Sequence, residues 1–301
     1  MAIVLGENQY GKAENRVVRV ERQTPRHQIR DVNVSSALRG DFHDAHVTGD
    51  QAEVLPTDTQ KNTVFAFARE HGIGEIEDFA LMLGDHFVRQ APAATGAKIE
   101  IDEYTWDRID IDGKEHAHSF VRSTPEVRNT VVTIDGTGSD ARSWVISGLK
   151  GLVVAKTTGS EFQGFLTDRY TTLAETDDRI LATSLTARWR YLGTGVEWGK
   201  TYGSVRSLLL RQFAEVHSKA LQQSLYDMGK AVLEHHPDIA EIRFSAPNKH
   251  HFLSDLTPFG LDNPGEVFFA ADRPYGLIEA TVRRDDVPDA DIAWRAVPGF
   301  C

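Results

Sequence analysis

Phe162, Arg179 and Gln222 are side chains of the kinds that together hold a flat aromatic anion. A ring can stack on Phe162, the planar guanidinium of Arg179 can donate two parallel hydrogen bonds to a carbonyl and the ring nitrogen beside it, and the Gln222 amide offers one donor and one acceptor to a neighbouring edge. Taken singly, each has a blander reading. Phe162 would be core, Arg179 a surface ion pair, Gln222 a solvated helix residue and Lys12 an exposed charge, so only their joint occurrence points to a site. No nucleophile triad or pair of catalytic carboxylates is spelled out alongside them.

Two glycine-rich stretches imitate nucleotide sites. Gly136-Thr137-Gly138-Ser139-Asp140-Ala141 spells a dinucleotide fingerprint after a strand at Thr130 to Ile134, but the next apolar runs, Trp144-Val145-Ile146 and Leu152-Val153-Val154, read as strand. The fingerprint needs a helix there, so a plain turn is the better reading. Gly199-Lys200-Thr201 resembles the end of a phosphate loop, yet Thr194 stands where the first glycine is required. We expect a loop leading into a helix. The 12 histidines include His116 and His118 on one strand face, where a surface zinc is conceivable, but none falls in a metal-ligand motif and solvated histidines are the simpler expectation.

At 301 residues, with 41% hydrophobic and 26% charged side chains, the chain has the composition of a globular protein and the length of two domains. The formal net charge of -11 opposes binding to nucleic acid, and an anionic ligand would have to be held by a few locally placed donors. Cys301 is the sole cysteine, which excludes an intrachain disulfide and a multi-thiolate metal site and suggests an inert tail. Neither a leader nor a membrane span is expected from the short apolar run Ala2 to Leu5, and Pro298-Gly299-Phe300-Cys301 is not a peroxisomal address. A cytoplasmic protein is the expectation.

Periodicity supplies the elements that would carry these residues. Extended segments near Arg16 to Arg22 and Gln28 to Ser35 precede helices at Asp58 to His71 and Glu75 to Arg89, the second with Phe79, Met82, Leu83 and Phe87 on one face. Strands at Lys98 to Trp106 and His116 to Arg122 follow. The second half repeats the order: Trp144 to Lys156, Leu181 to Tyr191, a long helical region from Tyr202 to His235, then Glu241 to Ser245, Val267 to Ala270 and Leu277 to Arg283. Two pseudo-repeats place a boundary in the turn at Asp135 to Ser139, giving domains at 1–138 and 139–301.

The run Lys156-Thr157-Thr158-Gly159-Ser160-Glu161-Phe162-Gln163-Gly164-Phe165, followed by Tyr170, Leu173 and Arg179, resembles the signature of the uricase (urate oxidase) family, bacterial type. Four further segments match in the family's order: Tyr10-Gly11-Lys12, Thr57 to Thr63, Leu221-Gln222 and Pro247-Asn248-Lys249-His250. The resemblance implies an α+β fold of two tandem T-fold domains, antiparallel sheets with paired helices on one face, assembled as a homotetramer. It implies a cofactor-independent oxidation of urate by O2 to 5-hydroxyisourate with release of H2O2. It also implies sites shared between subunits, with Lys12, Thr57, Asp58 and His250 from one and Phe162, Arg179, Leu221, Gln222 and Asn248 from its neighbour. Catalysis would fall to a relay in which Lys12 draws a proton from the Thr57 hydroxyl, Thr57 accepts one from urate and His250 passes protons onward. Asn248 would hold oxygen or water above the ring, and Leu221, where the family has a smaller valine, would contribute a backbone contact. Two other readings stay open: a T-fold enzyme acting on a pterin through zinc or an acidic anchor, and a non-catalytic purine-binding module with no use for Lys12 beside Thr57.

Overall fold

The computed structural model describes residues 1–271 and 273–295. The segment Pro298 to Cys301, and with it the reading of Cys301 as an inert tail, lies outside the described residues. The chain divides into two compact units. One comprises Met1–Gly148, Arg190–Gly199 and the residues from Asp286 onward; the other comprises Leu149–Trp189 and Lys200–Asp285.

In the first unit, β1 (Tyr10–Glu21) and β2 (Gln28–Gly40) pair antiparallel. They are followed by α1 (His43–Val47), α2 (Thr57–Glu70) and α3 (Ile76–Gln90), then β3 (Ala94–Tyr104), a separate hairpin of β4 (Asp107–Ile111) and β5 (Lys114–Val121), and β6 (Val127–Asp135). The sheet order is β1-β2-β3-β6. Ile76, Phe79, Ala80, Leu83 and Phe87 recur at helical spacing and form the buried stripe of α3, which lies on β3 and β6. A β-carbon at Gly84 would stand 2.9 Å from the Ile134 side chain, so glycine there lets the helix approach the sheet closely.

The next strand, β7 (Arg142–Lys156), passes from the first unit into the second. The second unit continues with β8 (Leu181–Tyr191) and α4 (Trp198–Glu215), of which residues 190–191 and 198–199 fall in the first unit, then α5 (Leu221–His235), β9 (Ile239–Pro247), a hairpin of β10 (His250–Leu253) and β11 (Phe268–Ala271), and β12 (Leu277–Arg283). Its strand order, β7-β8-β9-β12, reproduces that of the first unit. Leu221, Leu225, Met228 and Val232 are the buried stripe of α5, which packs on β9 and β12. A short α6 (Asp291–Trp294), which belongs to the first unit, brings Ala293 into a cluster with Val131 and Ile146 of that same unit.

Several sequence expectations need correction. The helical region expected from Tyr202 to His235 is two helices, because residues between Glu215 and Leu221 leave the helix so that Ser218 can bridge to Ser160. His116 to Arg122 is extended as far as Val121, as expected, but it does not join the first sheet. It belongs to the β4–β5 hairpin, and β6 is the fourth strand there; likewise Val267 to Ala270 falls in the β10–β11 hairpin. Gly199-Lys200-Thr201 lies within the first turns of α4 rather than in a loop before it. After Gly136 a single 3-10 turn leads straight into β7, so no helix follows the first glycine-rich stretch.

Candidate active site

Phe162, Arg179, Leu221, Gln222, Asn248 and His250 line one cavity of 710 Å³ in the second unit. Phe162 follows the end of β7, in a segment without helix or long strand. It is fixed by a reciprocal pair of backbone hydrogen bonds, from the Phe162 amide to the Thr176 carbonyl at 2.9 Å and from the Thr176 amide to the Phe162 carbonyl at 3.1 Å. The Arg179 amide donates to the Ser160 carbonyl at 2.8 Å, so residues 160–162 and 176–179 form a short two-stranded ladder. On its other side the same segment is tied to Ser218. The Ser218 amide donates to Gly159 at 2.9 Å and the Glu161 amide to Ser218 at 2.8 Å, three residues before α5 begins.

Gln222 therefore sits in the first turn of α5, where backbone amides have no intrahelical acceptor and the helix presents its positive end. Asn248 follows β9 and is held by its amide on Gly276 at 2.8 Å, while the next amide, Lys249, donates to Ala182 at 2.8 Å. His250 then opens β10.

The electrostatics favour a planar anion. The Arg179 guanidinium lies 5.0 Å from the Phe162 ring centroid, and its buried Nε has no hydrogen-bond partner. Burial lowers the proton affinity of this guanidinium, although not enough to discharge an arginine. The His250 imidazole is held below its ordinary range, first by burial and then by the positive charge of Arg179 and by His251. A neutral imidazole beside a guanidinium can take a proton where a charged one could not.

Lys12, Thr57 and Asp58 belong to the first unit. Lys12 lies on β1 opposite Ser36, beside a close approach of the two strands, since a β-carbon at Gly11 would stand 1.8 Å from the Ser36 carbonyl oxygen. The register then slips between Lys12 and Asn15, where Glu14 adopts a left-handed φ of 54° and its amide donates to Ser35 Oγ at 2.9 Å. Such a bulge re-aims the side chains next to it. Ser36 Oγ donates to the buried Gln60 Oε1 at 2.8 Å, which ties the start of α2 to the strand pair at Lys12. Thr57 is the first residue of α2 and lines a second cavity, of 550 Å³, with Tyr10, Phe42 and Pro56. Asp58 pairs with Lys61, accepts from Asn62 Nδ2 at 3.2 Å and is held below the usual carboxylate range, mainly by Lys61 and in smaller part by Lys12.

The uricase family profile matches residues 8–133 and 145–279. The chain belongs to the uricase family. A uricase of Arthrobacter globiformis is 54% identical over 299 residues, 99% of this chain and 96% of the relative. A uricase of Dictyostelium discoideum is 36% identical over 281 residues, 92% of this chain and 96% of the relative. The crystal structure of the Arthrobacter globiformis uricase matches with a TM-score of 0.92, covering 98% of this chain and 99% of that one. A uricase from Bacillus fastidious, at 23% identity, shares the fold with a TM-score of 0.79 over 92% of this chain and 93% of that one. The architecture is the α+β tandem T-fold.

Of the residues expected for a uricase site, six converge on the 710 Å³ cavity and three lie in the first unit. His250 departs from the expected division. It was assigned with Lys12 and Thr57, but it lines the cavity of the same chain's Arg179, because only Lys249 separates it from Asn248 and the backbone there is pinned to Gly276 and Ala182. Tyr10, quoted only within the Tyr10-Gly11-Lys12 segment, and Asp178 were not named as site residues from the sequence. Tyr10 shares the Thr57 cavity with a buried hydroxyl, and Asp178 lines the larger one. The His116 and His118 rings stand 4.5 Å apart, yet among the described residues no group of three or more His, Cys, Asp or Glu is arranged to hold a metal. Among the described residues no helix is long and apolar enough to cross a membrane.

Proposed function

We propose that this chain oxidises urate with O2 and water to 5-hydroxyisourate and H2O2, without a metal or organic cofactor. The observation that carries the reading is one cavity that combines a stacking ring, a half-buried guanidinium whose buried Nε is unpartnered, and the side-chain amide of Gln222 at a helix N-terminus. Phe162 lies against the purine plane, Arg179 and Gln222 hold two of its edges, and Leu221 adds a backbone contact.

Thr57 takes a proton from the bound anion as Lys12, in its neutral amine form, draws off the hydroxyl proton, and the neutral His250 passes protons onward. The electron-rich purine then reduces O2. Peroxide leaves and water adds to the oxidised ring, with the Asn248 amide holding the small molecule above it. The atoms balance as urate, O2 and H2O giving 5-hydroxyisourate and H2O2.

We further propose a cytoplasmic homotetramer of chains, each divided near residue 138. Lys12, Thr57 and Asp58 of one protomer would complete the cavity of another, with urate and O2 as the small-molecule partners and neither nucleic acid nor membrane among the others. The test is direct: purified protein should remove the urate absorbance band with matching oxygen uptake and peroxide release. A protein that binds urate without consuming oxygen would sink the catalytic reading.

A further inference from the structure

The turn before Phe162 is held by a side chain with no place in the reaction described above. Asp178 accepts a hydrogen bond from Thr158 Oγ1 at 2.8 Å and from the Ser160 amide at 3.4 Å. Thr158, then the amides of Ser160, Gly159 and Arg179, hold its carboxyl below the usual range. Gly159 supplies the left-handed φ of 72° that lets successive donors in this turn converge on one acceptor. Asp178 lines the cavity, but its oxygens are engaged by the turn. A carboxylate left free there would repel an anionic ligand.

We propose that Asp178 is a positioning residue for the urate cavity, clipping the 158–160 turn to the segment that carries Arg179. Three site segments depend on that turn. Phe162 follows it by two residues, Arg179 is bonded to its Ser160 carbonyl, and Ser218, bonded to Gly159 and Glu161, sets the chain that enters α5 at Leu221 and Gln222. Without the clip, the turn's donors would bond to water in many loop conformers, and ring, fork and amide would lose their common spacing. The inference rests on the urate reading of the cavity.

The test compares wild type with Asp178→Asn, Asp178→Ala, Thr158→Val, the Asp178→Asn/Thr158→Val pair and Asp177→Asn, a neighbouring charge that does not line the cavity. Steady-state kinetics with urate are read together with amide exchange over residues 157–163. We expect Asp178→Asn to raise KM by roughly three- to tenfold with a smaller change in kcat, and to speed exchange in the turn while Tm moves by about 2 °C or less. The pair should be no worse than Asp178→Asn alone, and Asp177→Asn should be silent. An unchanged or lower KM in Asp178→Asn, or unchanged exchange, overturns the proposal. Should Asp178→Ala fail to fold, Thr158→Val must still raise KM and quicken exchange. If wild type did not oxidise urate at all, the functional reading would fail by itself, and the exchange measurement would still decide whether Asp178 holds the turn.

Discussion

The Arg179 guanidinium stands 5.0 Å from the Phe162 ring centroid with its Nε buried and unpartnered. A buried donor without an acceptor is unfavourable, so a carbonyl or ring nitrogen that meets it gains a hydrogen bond of more than ordinary worth. Arg179→Ala should therefore raise the KM for urate by roughly 10²-fold, with a smaller effect on kcat. Arg179→Lys should recover little, since an ammonium cannot present the two-pronged planar edge. Initial rates over a range of urate concentrations check both, and a wild-type KM in Arg179→Ala would remove the residue from the site.

Lys12 is expected to act on the proton rather than on binding. Lys12→Met keeps the length and removes the base, so kcat should fall by roughly 10²-fold while KM changes less. A variant altered only in KM would show that the Thr57 relay is misassigned.

The pH dependence follows from His250. Its imidazole is held below the ordinary value of 6.5 by burial, then by Arg179 and His251. Protonation is thus harder in the folded protein than in the unfolded chain. The stability linked to this group is present above pH 6.5 and is lost as pH falls through the depressed folded value. If the neutral ring passes protons, kcat/KM should fall on the acid side with an inflection below 6.5, and His250→Gln should lose that inflection along with much of its rate. An identical acid limb in the variant would assign the titration to another group.

The shared site gives a test by mixing. In a pair of protomers related by an isologous two-fold axis, one carrying Thr57→Ala and the other Arg179→Ala, one site receives both lesions and the other neither. Random co-assembly of the two inactive variants should then restore about one quarter of wild-type activity. Mixed oligomers verified by mass, yet no more active than their parents, would place each site within a single chain.

The stripe of α3 was legible in the sequence because local periodicity reports which face of a helix is buried. Phe79, Leu83 and Phe87 are buried as their spacing required, while Met82 at the margin of that face is half-buried. The break between α4 and α5 was not, since it depends on Ser218 pairing with Ser160, 58 positions earlier in the chain. The β4–β5 hairpin left a clearer mark: Asp112-Gly113 takes left-handed φ values of 53° and 79°, the conformation an Asp-Gly turn favours. The residues of the 710 Å³ cavity could be named through the family resemblance. The place of His250 among them could not, because it follows from where Asn248 and Lys249 are pinned. Asp178 was invisible for a similar reason, since a carboxylate that captures a turn leaves no periodic trace.

The β4–β5 and β10–β11 hairpins occupy the same position in the two repeats, between the third and fourth strands of each order. Chain can be added or removed there without disturbing the pairing of β3 with β6 or of β9 with β12. Closing a longer excursion costs free energy only as the logarithm of its length. These are two points at which the protein can vary while its sheets stay constant, and in the second repeat the excursion starts with His250, in the cavity itself. Divergence in how the ligand is handled can therefore proceed by lengthening or reshaping one hairpin, leaving the segment between β7 and β8 that presents Phe162 and Arg179 under a separate constraint.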